Sequence, residues 1–162
     1  MAKKTGTLSV GLLNESPENP RTITDGALAG LGASMAEFGD LSGIVWNERT
    51  GRLVAGHQRM KNLRQAGAKE WTRASKGAGE VVHPVTGERF AVRIVDWDEV
   101  KERAGNLTAN NPEIQGDFDM DRALAQLETL KDLPAFEVAG LAGLQELLRE
   151  TYRTDAGAAS DD

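Results

Sequence analysis

The sequence predicts an α+β fold, a small mixed sheet with flanking helices, and three observations carry that expectation. Two pairs of short apolar runs each fold around a glycine-containing turn, the mark of β-hairpins. Stretches with apolar residues at helical spacing alternate with them. The chain has 162 residues, 40% apolar and 27% charged, which is an ordinary globular composition of single-domain length.

The elements follow in order. Ser16-Pro17-Glu18-Asn19-Pro20-Arg21 is polar and extended, because each proline disfavours helix in the residue before it. Thr24 or Asp25 caps a helix whose Leu28, Leu31, Met35 and Phe38 share one face and which Gly39 ends. Its Gly30 and Gly32 weaken it, so packing must support it. Ile44-Val45-Trp46 and Leu53-Val54-Ala55 flank the turn 47–51 as a first hairpin. Gly56 breaks the second strand, and Gln58 to Ala66 reads as a helix with Met60 and Leu63 inward, stopped by Gly67. Residues 69–79 are basic and rich in small side chains, and are expected to form a mobile surface loop. Val81-Val82 and Phe90 to Val95, around Thr86-Gly87, make a second hairpin. Asn106 to Gly116 reads as a polar loop. Two amphipathic helices, near Asp121–Leu133 and Leu141–Tyr152, form a helical extension over 117–154 behind a first domain of 1–116. Residues 155–162 read as a disordered acidic tail.

Composition excludes several chemistries. The chain has no cysteine, which removes disulfides, cysteinyl zinc, iron–sulfur clusters and thiol catalysis. It contains no apolar run long enough for a membrane span and no signal-peptide pattern, so a cytoplasmic location is expected. The net charge of −6 hides an asymmetry. Residues 49–93 carry ten basic side chains against three acidic ones, whereas 94–162 carry six against sixteen. Such a basic segment suits a polyanion, either nucleotide phosphates or a nucleic-acid backbone; equally, it suits internal pairing with the acidic third.

The most informative stretch is Leu53-Val54-Ala55-Gly56-His57-Gln58-Arg59-Met60-Lys61-Asn62-Leu63. A strand runs through glycine into a helix, so free N–H groups and the positive helix end form an anion site that glycine lets a phosphate approach. Arg59 adds a bidentate donor. Taken alone, the pattern is also that of a common strand–glycine–helix junction.

With Asn19-Pro20-Arg21, Glu37-Phe38-Gly39, the first hairpin and Ala66-Gly67, this stretch resembles the N-terminal domain of the ParB family over about residues 8–116, most specifically over 43–67. That domain shares its fold with sulfiredoxin, and free-standing versions are frequent in phages and mobile elements. The resemblance implies nucleotide binding by Gly56, His57, Gln58 and Arg59. His57 stands where sulfiredoxin has its catalytic cysteine, which excludes sulfur reduction. Asn106-Leu107 resembles the family's second nucleotide motif, with Gly105 and Ala109 in place of its acid and arginine, a departure from the CTP-dependent switch of partition proteins. Only a net-acidic segment of about 45 residues follows, so a sequence-reading helix-turn-helix domain is not expected.

The resemblance therefore implies nucleotide-dependent phosphoryl transfer acting on DNA, with ATP or another nucleoside triphosphate and Mg²⁺. The favoured version is a kinase of a hydroxyl on a modified base, the alternatives being a nuclease or ATPase and a non-catalytic adaptor that binds a partner protein through its C-terminal helices. Glu37 and Asp40 are candidate bases or metal ligands, and equally a solvated helix-end residue and a loop cap. His57 is the candidate proton carrier. His83 reads as a hairpin residue. Asp96 and Asp98 either bind Mg²⁺ or cap the next helix. Lys69, Arg73 and Lys76 are the expected DNA contacts.

Overall fold

The computed structural model describes residues 5–41, 43–133, 136 and 140–158. Thr24 opens helix α1 (Asp25–Phe38) by accepting a hydrogen bond from the Ala27 N–H, and Gly39 closes it. The first hairpin is β2 (Ile44–Asn47) and β3 (Arg52–Ala55), and it feeds α2 (His57–Gln65) directly. The second is β5 (Ala78–Val82) and β6 (Arg89–Val95). With β1 (Gly6–Ser9) and β4 (Glu70–Arg73) they form one six-stranded mixed sheet of order β1-β4-β5-β6-β2-β3, in which β2 runs parallel to β6 and every other pair is antiparallel. Ile44, Leu53, Met60, Leu63, Trp71, Val81, Phe90 and Val92 fill the core between sheet and helices, and Trp46 meets Trp71 edge to face at 5.5 Å. The Asn62 side chain on α2 donates to the Leu28 carbonyl, tying α1 to α2.

Three expectations are corrected. Residues 69–79 are not a mobile loop. They hold β4 and the start of β5, anchored by Trp71 and by a buried Arg73 whose guanidinium donates to Glu48 at 2.9 Å and to the carbonyls of Ser75 and Lys76. Asn106–Ala109 is not loop but the last turn of α3 (Glu99–Ala109), which Asp98 caps by accepting from the Lys101 N–H. Only after Asn111 does the chain turn, through a 3₁₀ turn at Pro112–Ile114. Helix α5 (Leu141–Ala158) runs through four residues of the expected disordered tail, and 159–162 lie outside the described residues. On α1, Phe38 is exposed although it continues the apolar spacing. Helices α4 (Met120–Leu130) and α5 pack against each other around Leu127, Phe136 and Leu148. No helix among the described residues is long and apolar enough to cross a membrane.

Candidate functional site

The cleft at the start of α2 is built by the strand–glycine–helix junction. Gly56 adopts φ 85°, ψ 18°, a left-handed conformation that turns β3 into α2. Its carbonyl accepts the first helical bond, from the Met60 N–H at 2.9 Å, so the N–H groups of His57, Gln58 and Arg59 have no helical acceptor. The reason for glycine here differs from the expected one. A Cβ on Gly56 would lie 2.9 Å from the Ile44 Cα and Cγ1, so the bare backbone serves the packing of α2 on β2.

Around this turn lies a cleft of about 380 Å³, walled by Asn19, Arg21, Thr22 and Ile23 of the extended N-terminal segment, Leu31 of α1, and Ala109 and Asn110 at the end of α3. A second lobe of about 320 Å³ continues past His57 and Gln58 to Glu15, Ser16 and Lys61. Among the described residues, the side chains of Arg21, Arg59 and Lys61 make no hydrogen bond or ion pair. Half-burial holds Arg59 below the ordinary guanidinium pKa, with Asp40 acting against that shift and Arg21 reinforcing it. An unpaired, partly desolvated cation beside another cation and a positive helix end is held against its own electrostatic preference.

The other cations of the basic segment are mostly spoken for. Arg49 pairs with Asp96 at 2.7 Å, Arg52 with Glu102 at 2.8 Å and Glu99 at 3.3 Å, Arg73 with Glu48, and Arg89 with Glu80. Arg64 donates to the Val10 and Leu13 carbonyls, and Arg93 lies over the Trp97 ring. Internal pairing therefore absorbs much of the charge excess. Arg59 and Lys61 are left at the cleft, while Lys69 and Lys76 are exposed at the hairpin side.

The expected site residues separate into groups. Gly56, His57, Gln58 and Arg59 share the cleft. Asn106 sits just behind it, buried, donating to the Val54 carbonyl at 3.0 Å and to Asn19 Oδ1 at 3.4 Å, so it fixes the wall. Glu37 is exposed on the last turn of α1, away from the cleft lining. Asp40 also stays out of the lining: its Oδ2 accepts from the Ala91 N–H at 2.9 Å, while its buried Oδ1 has no partner. Arg73 is internal, as described above. Asp98 is a helix cap and Asp96 a partner of Arg49, and His83 accepts from the Val85 and Thr86 N–H groups within its own hairpin turn. No group of three His, Asp or Glu side chains among the described residues is placed to hold a metal ion. With its cations and its N–H groups free of helical acceptors, the cleft is chemically suited to an anion.

Gly105 has a structural reason. A Cβ there would meet the Trp97 ring at 2.9 Å and Val54 at 3.3 Å, so an acidic side chain cannot stand at this position while Trp97 packs on α3. Sequence reasoning passed over Arg21, Lys61 and Asn110 as lining residues. Arg21 had a signal, since it ends the proline-stiffened segment that the fold lays beside Gly56.

No sequence family matches the chain, and neither does any curated protein sequence. Among solved structures it is similar to the C-terminally truncated chromosome-partitioning protein ParB of Caulobacter crescentus complexed with CTP-γ-S. The identity is 17% and the TM-score 0.54, over 80% of this chain and 64% of that one. A Pnob8-like ParB-N domain aligns at 18% identity with a TM-score of 0.41, over 90% of this chain and 53% of that one. The chain has a ParB N-terminal-like fold.

Proposed function

We propose that this protein binds a nucleoside triphosphate in the Gly56–Arg59 cleft and acts on DNA. The carrying observation is the set of unpaired cations, Arg21, Arg59 and Lys61, around three N–H groups that lack helical acceptors. Phosphate oxygens supply the charge that this arrangement lacks. The ParB of similar fold was crystallised with CTP-γ-S, which supports the same ligand class here. DNA as partner rests on the family resemblance and on Lys69 and Lys76, the two exposed cations of the segment outside the cleft whose side chains make no hydrogen bond, ion pair or ring contact among the described residues.

The finer reading is transfer of the terminal phosphoryl group of ATP, with Mg²⁺, to a hydroxyl on a modified base. The second lobe favours it: about 320 Å³ beyond His57, with Glu15 as a carboxylate and Lys61 as a cation, leaves room for an acceptor. Glu15 replaces Glu37 and Asp40 as the candidate base, because it lines the cleft and they do not. Incubation with γ-labelled ATP or CTP, Mg²⁺ and plain or hydroxymethylated DNA separates the outcomes. Label on DNA supports the kinase reading, free phosphate an ATPase or CTPase, and nicked DNA a nuclease. Binding without turnover supports an adaptor whose partner meets the C-terminal helices.

A further inference from the structure

The cleft wall formed by Asn19–Ile23 is an irregular strap with few attachments. Before it, Leu13 is fully buried, and Asn14 is pinned to the β2–β3 hairpin by Leu53 N–H to Asn14 carbonyl at 2.7 Å and by Asn14 N–H to Gly51 carbonyl at 3.2 Å. After it, Thr24 caps α1. Between these anchors, the hydrogen bonds to the body among the described residues are two. The Ser16 N–H donates to His57 Nε2 at 3.1 Å, and Asn106 donates to Asn19 at a longer 3.4 Å. An exposed ion pair of Arg103 with Glu18 at 3.7 Å adds little.

His57 is 93% buried and accepts at Nε2, so its proton resides on Nδ1. We infer that His57 is a positioning residue that latches the strap over the nucleotide cleft through Ser16, and that protonation of His57 opens the latch. Protonation at Nε2 consumes the lone pair that receives the Ser16 N–H, leaving two donors facing each other. The charged groups that line the cleft with His57 are Glu15 and Arg21 from the strap, and Arg59 and Lys61 from α2, while α1 and α3 contribute Leu31, Ala109 and Asn110. Burial pushes the imidazole below its usual pKa, with Glu15 opposing that shift. Because the folded state binds this proton more weakly than the unfolded one, the latch is complete above about pH 6.5 and weakens as pH falls from there toward the lower folded value.

The inference deepens the proposed nucleotide site and rests on it only for its consequence, since the latch itself exists without ligand. A direct role of His57 on phosphate gives the opposite sign: an imidazolium beside phosphates strengthens binding on acidification, whereas an opened strap weakens it.

The test is amide hydrogen exchange over residues 14–24 of the full chain without nucleotide, from pH 7.5 to 5.0 and corrected for intrinsic rates. ATP and CTP titrations are run at the two ends of that range. The variant is His57→Gln, whose amide oxygen supplies an uncharged acceptor near the Nε2 position. Wild type should lose Ser16 protection by up to about tenfold per pH unit once below the unfolded pKa. His57→Gln should hold its protection across the range. Relative to His57→Gln, which reports the nucleotide's own titration, wild-type affinity should fall on acidification. Protection independent of pH in wild type, identical profiles in the two proteins, or affinity that rises relative to the variant overturns the inference. Absence of nucleotide binding at either pH, with the exchange profiles as expected, refutes the nucleotide reading and leaves the latch standing.

Discussion

The turn at 49–52 and the turn at 56–61 lie within one basic run and make opposite use of it. In the first, Arg49 and Arg52 are met by Asp96, Glu99 and Glu102, and the buried Glu102 also accepts from Asn47 at 2.5 Å and from the Thr50 hydroxyl. That network fastens α3 to the β2–β3 hairpin. In the second, Arg59 and Lys61 form no ion pair among the described residues, with Asp40 acting on Arg59 only at longer range, and Arg21 is brought in to crowd them. The difference teaches that charge density along a sequence marks where cations are, and that pairing in space decides which of them are available to a ligand.

The comparison can be broken on the paired side first. Glu102→Ala should destabilise the protein by about 3–5 kcal/mol in urea denaturation, because it removes at once the buried acceptor of an Asn47 amide hydrogen, the Thr50 hydroxyl and Arg52, leaving Arg52 only the exposed Glu99. Arg59→Ala should leave stability within about 0.5 kcal/mol of wild type, since nothing in the fold holds that side chain. Equal losses in the two variants would erase the distinction between the turns.

Gly56 sharpens the second turn. The phosphate-approach argument by itself has Gly56→Val removing activity with less effect on melting than Leu63→Ala. The structure reverses that ranking. A Cβ 2.9 Å from Ile44 and a φ of 85° make Gly56→Val at least as damaging as Leu63→Ala, which is expected to cost about 2–5 kcal/mol. Thermal melting of the two variants side by side checks it, and a Gly56→Val protein that melts near wild type would restore the ligand-approach explanation.

The smallest effect belongs to the exposed lysines. Arg73 has been withdrawn into the core by Glu48, so Lys69 and Lys76 remain from the expected DNA contacts. Replacing both with Gln should flatten the logarithmic salt dependence of DNA binding by up to about two units, and leave nucleotide affinity unchanged. Equal slopes in filter binding over several salt concentrations would remove this hairpin from any DNA interface.

Much of the fold was legible where local signals agree with packing. Thr24, Gly39, Gly56 and Gly67 each carry a cap or turn whose chemistry is local, and the two hairpins announce themselves by apolar runs. Strand β4 was not legible, because its inward residues are Trp71 and Arg73, and an arginine reads as buried only once Glu48, 25 positions earlier, is known to face it. Helix α3 was legible at its start, where Asp98 could cap it, and its extent was hidden in the same way: its buried residues are Glu102 and Asn106, polar side chains satisfied by β2, β3 and the strap. The site was half legible. Its glycine–helix turn is contiguous, while Arg21, Asn110 and Glu15 come from segments that only the fold brings together.

The central claim is that the cleft at Gly56–Arg59 holds a nucleoside triphosphate, and calorimetric titration of ATP and CTP into wild type and Arg59→Ala tests it most directly. Saturable one-to-one binding is expected in wild type. The variant should lose about 1.5–3 kcal/mol of affinity, roughly ten- to a hundredfold, with its melting temperature unchanged. No heat of binding with either nucleotide, or equal affinity in the two proteins, would contradict it.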